Sequence, residues 1–146
     1  MPYVDNGGVR IHYKVEGDGP PLVLQHGLTS NMERWYANGY VNALKSDYKL
    51  MLIDARGHGD SAKPYAAAAY DRKIMASDVI AVLEAENIDK SHYFGYSMGG
   101  SIGFGIAESF PERARSLIIG GMHPYPLREL DPLVERFEAQ LTEGPC

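Results

Sequence analysis

The sequence predicts an α/β fold, a mostly parallel, twisted sheet with helices on both faces. Three observations carry this. Short apolar runs bounded by turn residues alternate with longer segments of helical spacing. The opening segment, Val9 to Gly17, alternates instead with a period of two. Finally, Gly95-Tyr96-Ser97-Met98-Gly99 joins an apolar run to a helix-like run through a serine.

The elements follow in order. In "VRIHYKVEG", Val9, Ile11, Tyr13 and Val15 alternate with Arg10, His12, Lys14 and Glu16, the pattern of a half-buried strand. Asn6-Gly7-Gly8 is a tight-turn signal, so Tyr3 to Asp5 forms the other arm of a hairpin. Gly17 to Pro21 is a loop. Leu22 to Gln25 is apolar on both faces, as a central parallel strand is. In "MERWYANGYVNALKSD", Trp35, Tyr36, Tyr40, Val41 and Leu44 recur at near-helical spacing, with Gly39 as a weak point. Tyr48 to Asp54 is a second buried strand, and "ARGHGDSAKPY" is a glycine-rich loop. "YAAAAY", Tyr65 to Tyr70, reads as a plain surface segment. "RKIMASDVIAVLEAENI" puts Met75, Val79, Val82 and Leu83 on one helix face with charge opposite. Ser91 to Tyr96 is the third apolar strand, "MGGSIGFGIAESF" a helix ended by Pro111, and Ala114 to Gly121 the fourth strand. Asp131-Pro132 starts a last helix, with Leu133, Val134, Phe137 and Leu141 as its apolar stripe.

The chain of 146 residues is long enough for one domain with its own core. The expected division is a core over residues 1–122, then the start of a lid region or C-terminal helix over 123–146. The 45% hydrophobic and 23% charged content is that of ordinary globular proteins. The net charge of −5 and the scattered Lys and Arg exclude the basic footprint of a nucleic-acid binder, and no polybasic membrane patch is present. The one cysteine, Cys146, excludes a disulfide framework or a cysteine zinc site within the chain. The N-terminus has no signal-peptide pattern, and no apolar run reaches membrane-spanning length. The expectation is a cytoplasmic protein with neither nucleic acid nor membrane as a partner.

The serine at position 97 asks for a physical reason. A strand that turns sharply into a helix bares a hydroxyl on the bend, and small residues are needed two positions away on each side because the backbones pass close there. Gly95 and Gly99 meet that need, and Gly100 and Gly103 extend it along the first helical turns. The first N–H groups of the new helix lack partners, so the Met98 N–H is a donor for negative charge on a carbonyl oxygen attacked by Ser97. One such donor is typically worth about 3 kcal/mol in the transition state.

Three blocks together make the sequence resemble the α/β-hydrolase superfamily. "PLVLQHGLTSNMERW" is similar to its strand, His-Gly turn and oxyanion loop; "LIDARGHGDSAKP" to its Asp-x-Arg-Gly-x-Gly-x-Ser loop; "SHYFGYSMGGSIG" to its nucleophile elbow. The resemblance runs from Tyr3 to Met122. It implies Ser97 as nucleophile, the backbone N–H groups of Leu28 and Met98 as the oxyanion hole, His26 and Gly27 shaping the oxyanion loop, and Trp35 packed beside it. It also implies one antiparallel strand near the start of the sheet and hydrolysis of an ester, lactone, thioester or similar acyl bond in a small-molecule substrate, without metal or organic cofactor. Peroxidase, acyltransferase and C–C bond hydrolase chemistry are found in the same superfamily.

The pattern breaks after the elbow helix. The family's triad runs serine, acid, histidine along the chain. Here the strand after the elbow helix ends near Gly121, and the later strands with the acid and histidine loops are not in the sequence, so it reads as the front half of such an enzyme. A site without its triad partners keeps about 10³- to 10⁴-fold rate enhancement over water. Among the histidines, His12 lies on the early strand in a surface or packing role, His26 belongs to the oxyanion loop and His58 to the Arg56 loop. His92 begins the elbow strand about 17 Å from the serine end. His123 follows the last strand at the same sheet edge as Ser97, with Glu129 and Asp131 behind it, and reads either as a lid-hinge residue beside Pro124 or as the candidate base. Asp54, Asp60 and Asp78 read as structural. The open "SLIIGG" edge and the Leu133/Val134/Phe137/Leu141 stripe predict a homodimer or higher oligomer, joined through that edge or the C-terminal helix. Two functional classes stay open: a serine hydrolase, with His123 acting within the chain or across a dimer, and a non-catalytic scaffold that binds partners through its open edge.

Overall fold

The structure is a computed structural model and describes residues 2–124. The predicted helix from Asp131-Pro132, its Leu133/Val134/Phe137/Leu141 stripe, Glu129 and Cys146 lie outside the described residues.

The hairpin forms where the turn glycines allow it. Gly7 and Gly8 take φ of 61° and 88° and join β1 (Tyr3–Asn6) to β2 (Val9–Glu16). Four further strands follow: β3 (Pro21–Gln25), β4 (Lys49–Ile53), β5 (Ser91–Tyr96) and β6 (Ala114–Gly120). They form one sheet in the order β1-β2-β4-β3-β5-β6. β2 runs antiparallel to β1 and β4, and all pairings among β3, β4, β5 and β6 are parallel. The predicted architecture, a mostly parallel sheet with one antiparallel strand near its start, is the one found.

Side chains alternate across a strand, so a strand apolar at every position supplies two cores. Val23, Met51, Ile53 and Tyr93 pack on one face against α3 (Arg72–Ala85) and α4 (Met98–Ser109) through Met75, Val79, Val82, Ile102 and Ile106. Leu22, Leu24, Leu50 and Leu52 pack on the other against α1 (Glu33–Ala37) and α2 (Tyr40–Leu44) through Trp35 and Val41. Each fully buried aliphatic side chain contributes about 1.5–3 kcal/mol. None of the helices among the described residues is long and apolar enough to cross a membrane.

Three local readings change, and one holds. The single helix expected across Gly39 is two short ones, because Gly39 takes φ 82° and turns the chain between them. "YAAAAY" is not plain surface: Ala67–Tyr70 is a 3₁₀ turn, and the Ala69 carbonyl accepts a hydrogen bond from Arg56 Nη1 at 2.9 Å. Asp78, read as structural, is indeed paired. It is 3% exposed and receives Arg56 Nε and Nη2, each at 2.7 Å, and Asn6 Nδ2 at 2.8 Å. His12, on the face read as outward, is 1% exposed, because Asp54 comes to meet it.

Candidate active site

Ser97 alone makes the corner between β5 and α4, with φ 54° and ψ −113°. That region is sparsely populated for a residue with a Cβ and costs about 1–3 kcal/mol, so the surroundings must impose it. They do so on both sides. The Ser97 N–H donates to the Gly120 carbonyl at 2.8 Å, and the Ser97 carbonyl accepts from the Ser101 N–H at 3.0 Å. A Cβ at position 95 would overlap the Gly99 carbonyl, and one at position 99 would overlap the Gln25 carbonyl. The two glycines of the pentapeptide are therefore required by the closeness of strand and helix. Met98 is the first residue of α4, so its N–H is among the donors that a helix leaves open.

The second wall is the turn that follows β3. Its Ser30 N–H donates to the Gly27 carbonyl at 3.2 Å, and Thr29 takes φ 65°, the backbone state of the third position of a type II turn. Two histidines hold it. The Thr29 N–H donates to His58 Nε2 at 3.1 Å, while His58 Nδ1 donates to the Arg56 carbonyl at 3.1 Å. His26 Nδ1 donates to the Gly27 carbonyl at 2.7 Å, and His26 Nε2 accepts from the Ala55 N–H at 3.1 Å. Both rings thus have one donating and one accepting nitrogen, the neutral form. Burial holds His26 below its ordinary pKa, against the opposing pull of its bond to Gly27, and the neighbouring His58 adds to the depression. Gly27 abuts the bend: a Cβ there would stand 3.4 Å from the Ser97 Cβ. Leu28, at the turn's tip, is 65% exposed, and its N–H meets no acceptor among the described residues.

Asp54 ties this wall to the sheet. Its carboxylate accepts the Met32 N–H at 2.9 Å, His12 Nδ1 at 2.9 Å and the Asp60 N–H at 3.0 Å. Burial alone would raise its pKa, but the bonds from His12, Met32 and Asp60 outweigh it and hold the carboxyl below the usual range. His12, Asp54 and Asp60 offer three possible metal-ligand atoms within 4.8 Å of one another. Since the Asp54 oxygens already take three N–H donors, the group reads as a hydrogen-bonded clamp.

Two clefts meet at the bend. One, of about 990 Å³, is bordered by Ser97, Leu28, Met98, His58, Arg72 and Met122. The other, of about 760 Å³, is bordered by Ser97, Gly27, Leu28, Trp35, Tyr40 and Tyr96. Ser97, Leu28, Met98, His26 and Gly27, singled out from sequence, come together here. Trp35 is 5% exposed and packs edge-on to Tyr40 at 5.0 Å and tilted to Phe94 at 5.2 Å, one wall of the smaller cleft. His123 is half-buried, one residue beyond Met122, and borders neither cleft. His92 is at the far end of β5, with Nδ1 2.6 Å from Ser116 Oγ. Sequence reasoning missed Tyr40, Tyr96 and Arg72 as cleft residues. Tyr96 had a signal, since the residue before an elbow serine stands beside it. Arg72 had none.

A family model described as the alpha/beta hydrolase fold matches residues 20–141. The chain belongs to the α/β-hydrolase fold family. Among its curated relatives in that family, a fluoroacetate dehalogenase of a Burkholderia species is 33% identical over 138 residues, which cover 91% of this chain and 45% of the relative. A soluble epoxide hydrolase of a Corynebacterium species is 34% identical over 117 residues, covering 80% of this chain and 40% of the relative. The solved structure of Est816, described as an N-acyl homoserine lactone degrading enzyme, aligns with a TM-score of 0.73 at 36% identity, over 81% of this chain and 44% of that one. This α/β-hydrolase chain thus spans less than half the length of these relatives, which are named for hydrolytic or related bond-breaking reactions.

Proposed function

We propose that the chain carries the nucleophile and oxyanion hole of a hydrolase that cleaves acyl bonds of small molecules. The observation that carries this is the Ser97 corner, an otherwise unfavourable backbone state held by two hydrogen bonds and two obligatory glycines. In the proposed step Ser97 Oγ attacks a carbonyl carbon and forms a C–O bond to it while the serine proton passes to a base. The carbonyl electron pair moves to oxygen, where the Leu28 and Met98 N–H groups receive the charge. When the tetrahedral adduct collapses, the leaving group departs with a proton, and water then cleaves the Ser97 ester.

The nature of the nucleophile narrows the reaction. A serine that displaced fluoride or opened an epoxide would be left as an ether, which water does not cleave. A serine that attacks an acyl carbon is left as an ester, which water does cleave. Ser97 therefore favours the lactone-like or ester-like reading over the two reactions at saturated carbon for which the dehalogenase and epoxide hydrolase relatives are named.

The Ser97 proton needs an acceptor. In His26 and His58 the accepting nitrogen is occupied by a backbone N–H, His12 is buried against Asp54, and His92 is at the wrong end of the strand. His123, one residue beyond cleft-lining Met122, is the candidate within this chain. A second reading, a scaffold that assembles through its open edge, is favoured by β6, the last strand in the sheet among the described residues, where Ile118 is 55% exposed.

The test is covalent. A fluorophosphonate probe on the full chain should label Ser97, and Ser97→Ala should abolish both labelling and turnover of a 4-nitrophenyl ester. His123→Ala should slow labelling at least tenfold. No labelling of the unaltered chain favours the scaffold, and labelling that survives Ser97→Ala removes the assignment.

A further inference from the structure

The larger cleft runs from Ser97 along the first turns of α4, and a cation stands on its far wall. Ser101 follows Ser97 by four residues, and its N–H donates to the Ser97 carbonyl at 3.0 Å. Arg72 Nε donates to Ser101 Oγ at 3.1 Å. Arg72 and Ser97 border the same cleft. The place of the guanidinium is built into the packing. A Cβ at Gly105 would stand 2.8 Å from Arg72 Cγ, so the missing side chain is what lets the arginine stem lie across α4. The Arg72 side chain is only 18% exposed, in a chain whose net charge is −5.

The charges around it match the guanidinium only in part. The Asp71 carboxylate is committed to the Lys73 N–H at 3.0 Å, as the cap of α3. The Tyr70 hydroxyl is committed to the Pro64 carbonyl at 2.7 Å. Lys73 also borders the cleft. Among the described residues Glu108 is the one acid against the guanidinium, a single contact at 3.6 Å from a side chain that is 66% exposed. Exposed pairs of that kind contribute little, and Nη2 of Arg72 meets no acceptor among the described residues.

We propose that Arg72, aided by Lys73, binds a carboxylate, and that the substrate class is an acyl compound with a second, negatively charged end: a half-ester or thioester of a short dicarboxylic acid. The scissile end of this proposal rests on the Ser97 reading; the anion site does not. A short dicarboxylic half-ester carries a scissile acyl carbon and a carboxylate, which one cleft bordered by both Ser97 and Arg72 can take together. The planar fork of arginine offers a carboxylate two parallel N–H donors, which a neutral acyl tail does not use.

The test separates binding from chemistry. In the full-length Ser97→Ala chain, affinities for mono(4-nitrophenyl) glutarate and for neutral 4-nitrophenyl butyrate are compared by calorimetry. The glutarate ester should bind about tenfold more tightly. Arg72→Met in that background should bring the ratio to about one, Arg72→Lys should restore part of it, and Glu108→Gln, which removes the competing carboxylate, should raise it. Unfolding midpoints show whether each variant is folded, and Glu108→Gln keeps the test decisive where Arg72→Met does not fold. Equal affinities, no binding of either ester, a preference that survives Arg72→Met, or a ratio that Glu108→Gln fails to raise would each overturn the proposal. A preference that holds while a fluorophosphonate leaves Ser97 unlabelled in the unaltered chain would sink the catalytic reading and leave the anion site standing.

Discussion

At the residue scale, the corner at Ser97 is a steric problem with one solution. The Gly95 and Gly99 backbones approach so closely that a single methyl has nowhere to go. Gly95→Ala should lower stability by about 1–3 kcal/mol, as overpacking a tight contact does, and denaturant titration against the unaltered chain measures it. His26 gives a second prediction. Its folded pKa is depressed, chiefly by burial, so the unfolded chain binds its proton more readily. The sign is then fixed: stability is full above the unfolded value and falls as pH drops below about 6.5. Melting temperatures between pH 8 and pH 5 should show that slope, and His26→Gln should flatten it. The corner was legible in the sequence because glycine spacing encodes steric need directly. The burial of His12 was not, since a period of two records which face a side chain takes but not which distant carboxylate arrives to cover it.

At the element scale, the loop after β4 is where chemistry-bearing residues and packing meet. Arg56 leaves that loop, places its fork on Asp78 of α3, and takes the Ala69 carbonyl of the 3₁₀ turn. The same loop presents His58 to the turn at Thr29. Arg56→Met leaves the Asp78 charge buried without its partner and should cost about 3–5 kcal/mol. Adding Asp78→Leu removes the stranded charge, so the double variant should regain much of that loss. Urea unfolding of the two single variants and the double measures the coupling. Strand and helix placement was legible from periodicity, including the hairpin and all four parallel strands. The break at Gly39 and the 3₁₀ turn were harder, because one depends on a single backbone angle and the other on a guanidinium supplied from a different loop.

At the scale of the whole molecule, the sheet has its antiparallel hairpin at one side and β6 at the other. If β6 pairs with a second copy, Ile118→Lys places a charge on that face and should shift the assembly toward monomer. Sedimentation over a hundredfold concentration range checks this, and a monomer throughout for the unaltered chain removes the edge from consideration. The site owes its order to elements far apart in sequence, with β3 giving the turn, β4 the histidine clamp and β5 the corner. The residues that meet at the corner, Gly27, Leu28, Ser97 and Met98, were readable from separated blocks, whereas the cleft beyond them depended on how α3 lies across α4. One contact joins β6 to all of this. The amide of Ser97 hangs from the carbonyl of Gly120, at the point where the chain leaves the sheet. A pull on the strand at Gly120 therefore bears on the serine corner through a single hydrogen bond, so the end of β6 and the strained backbone at residue 97 move together.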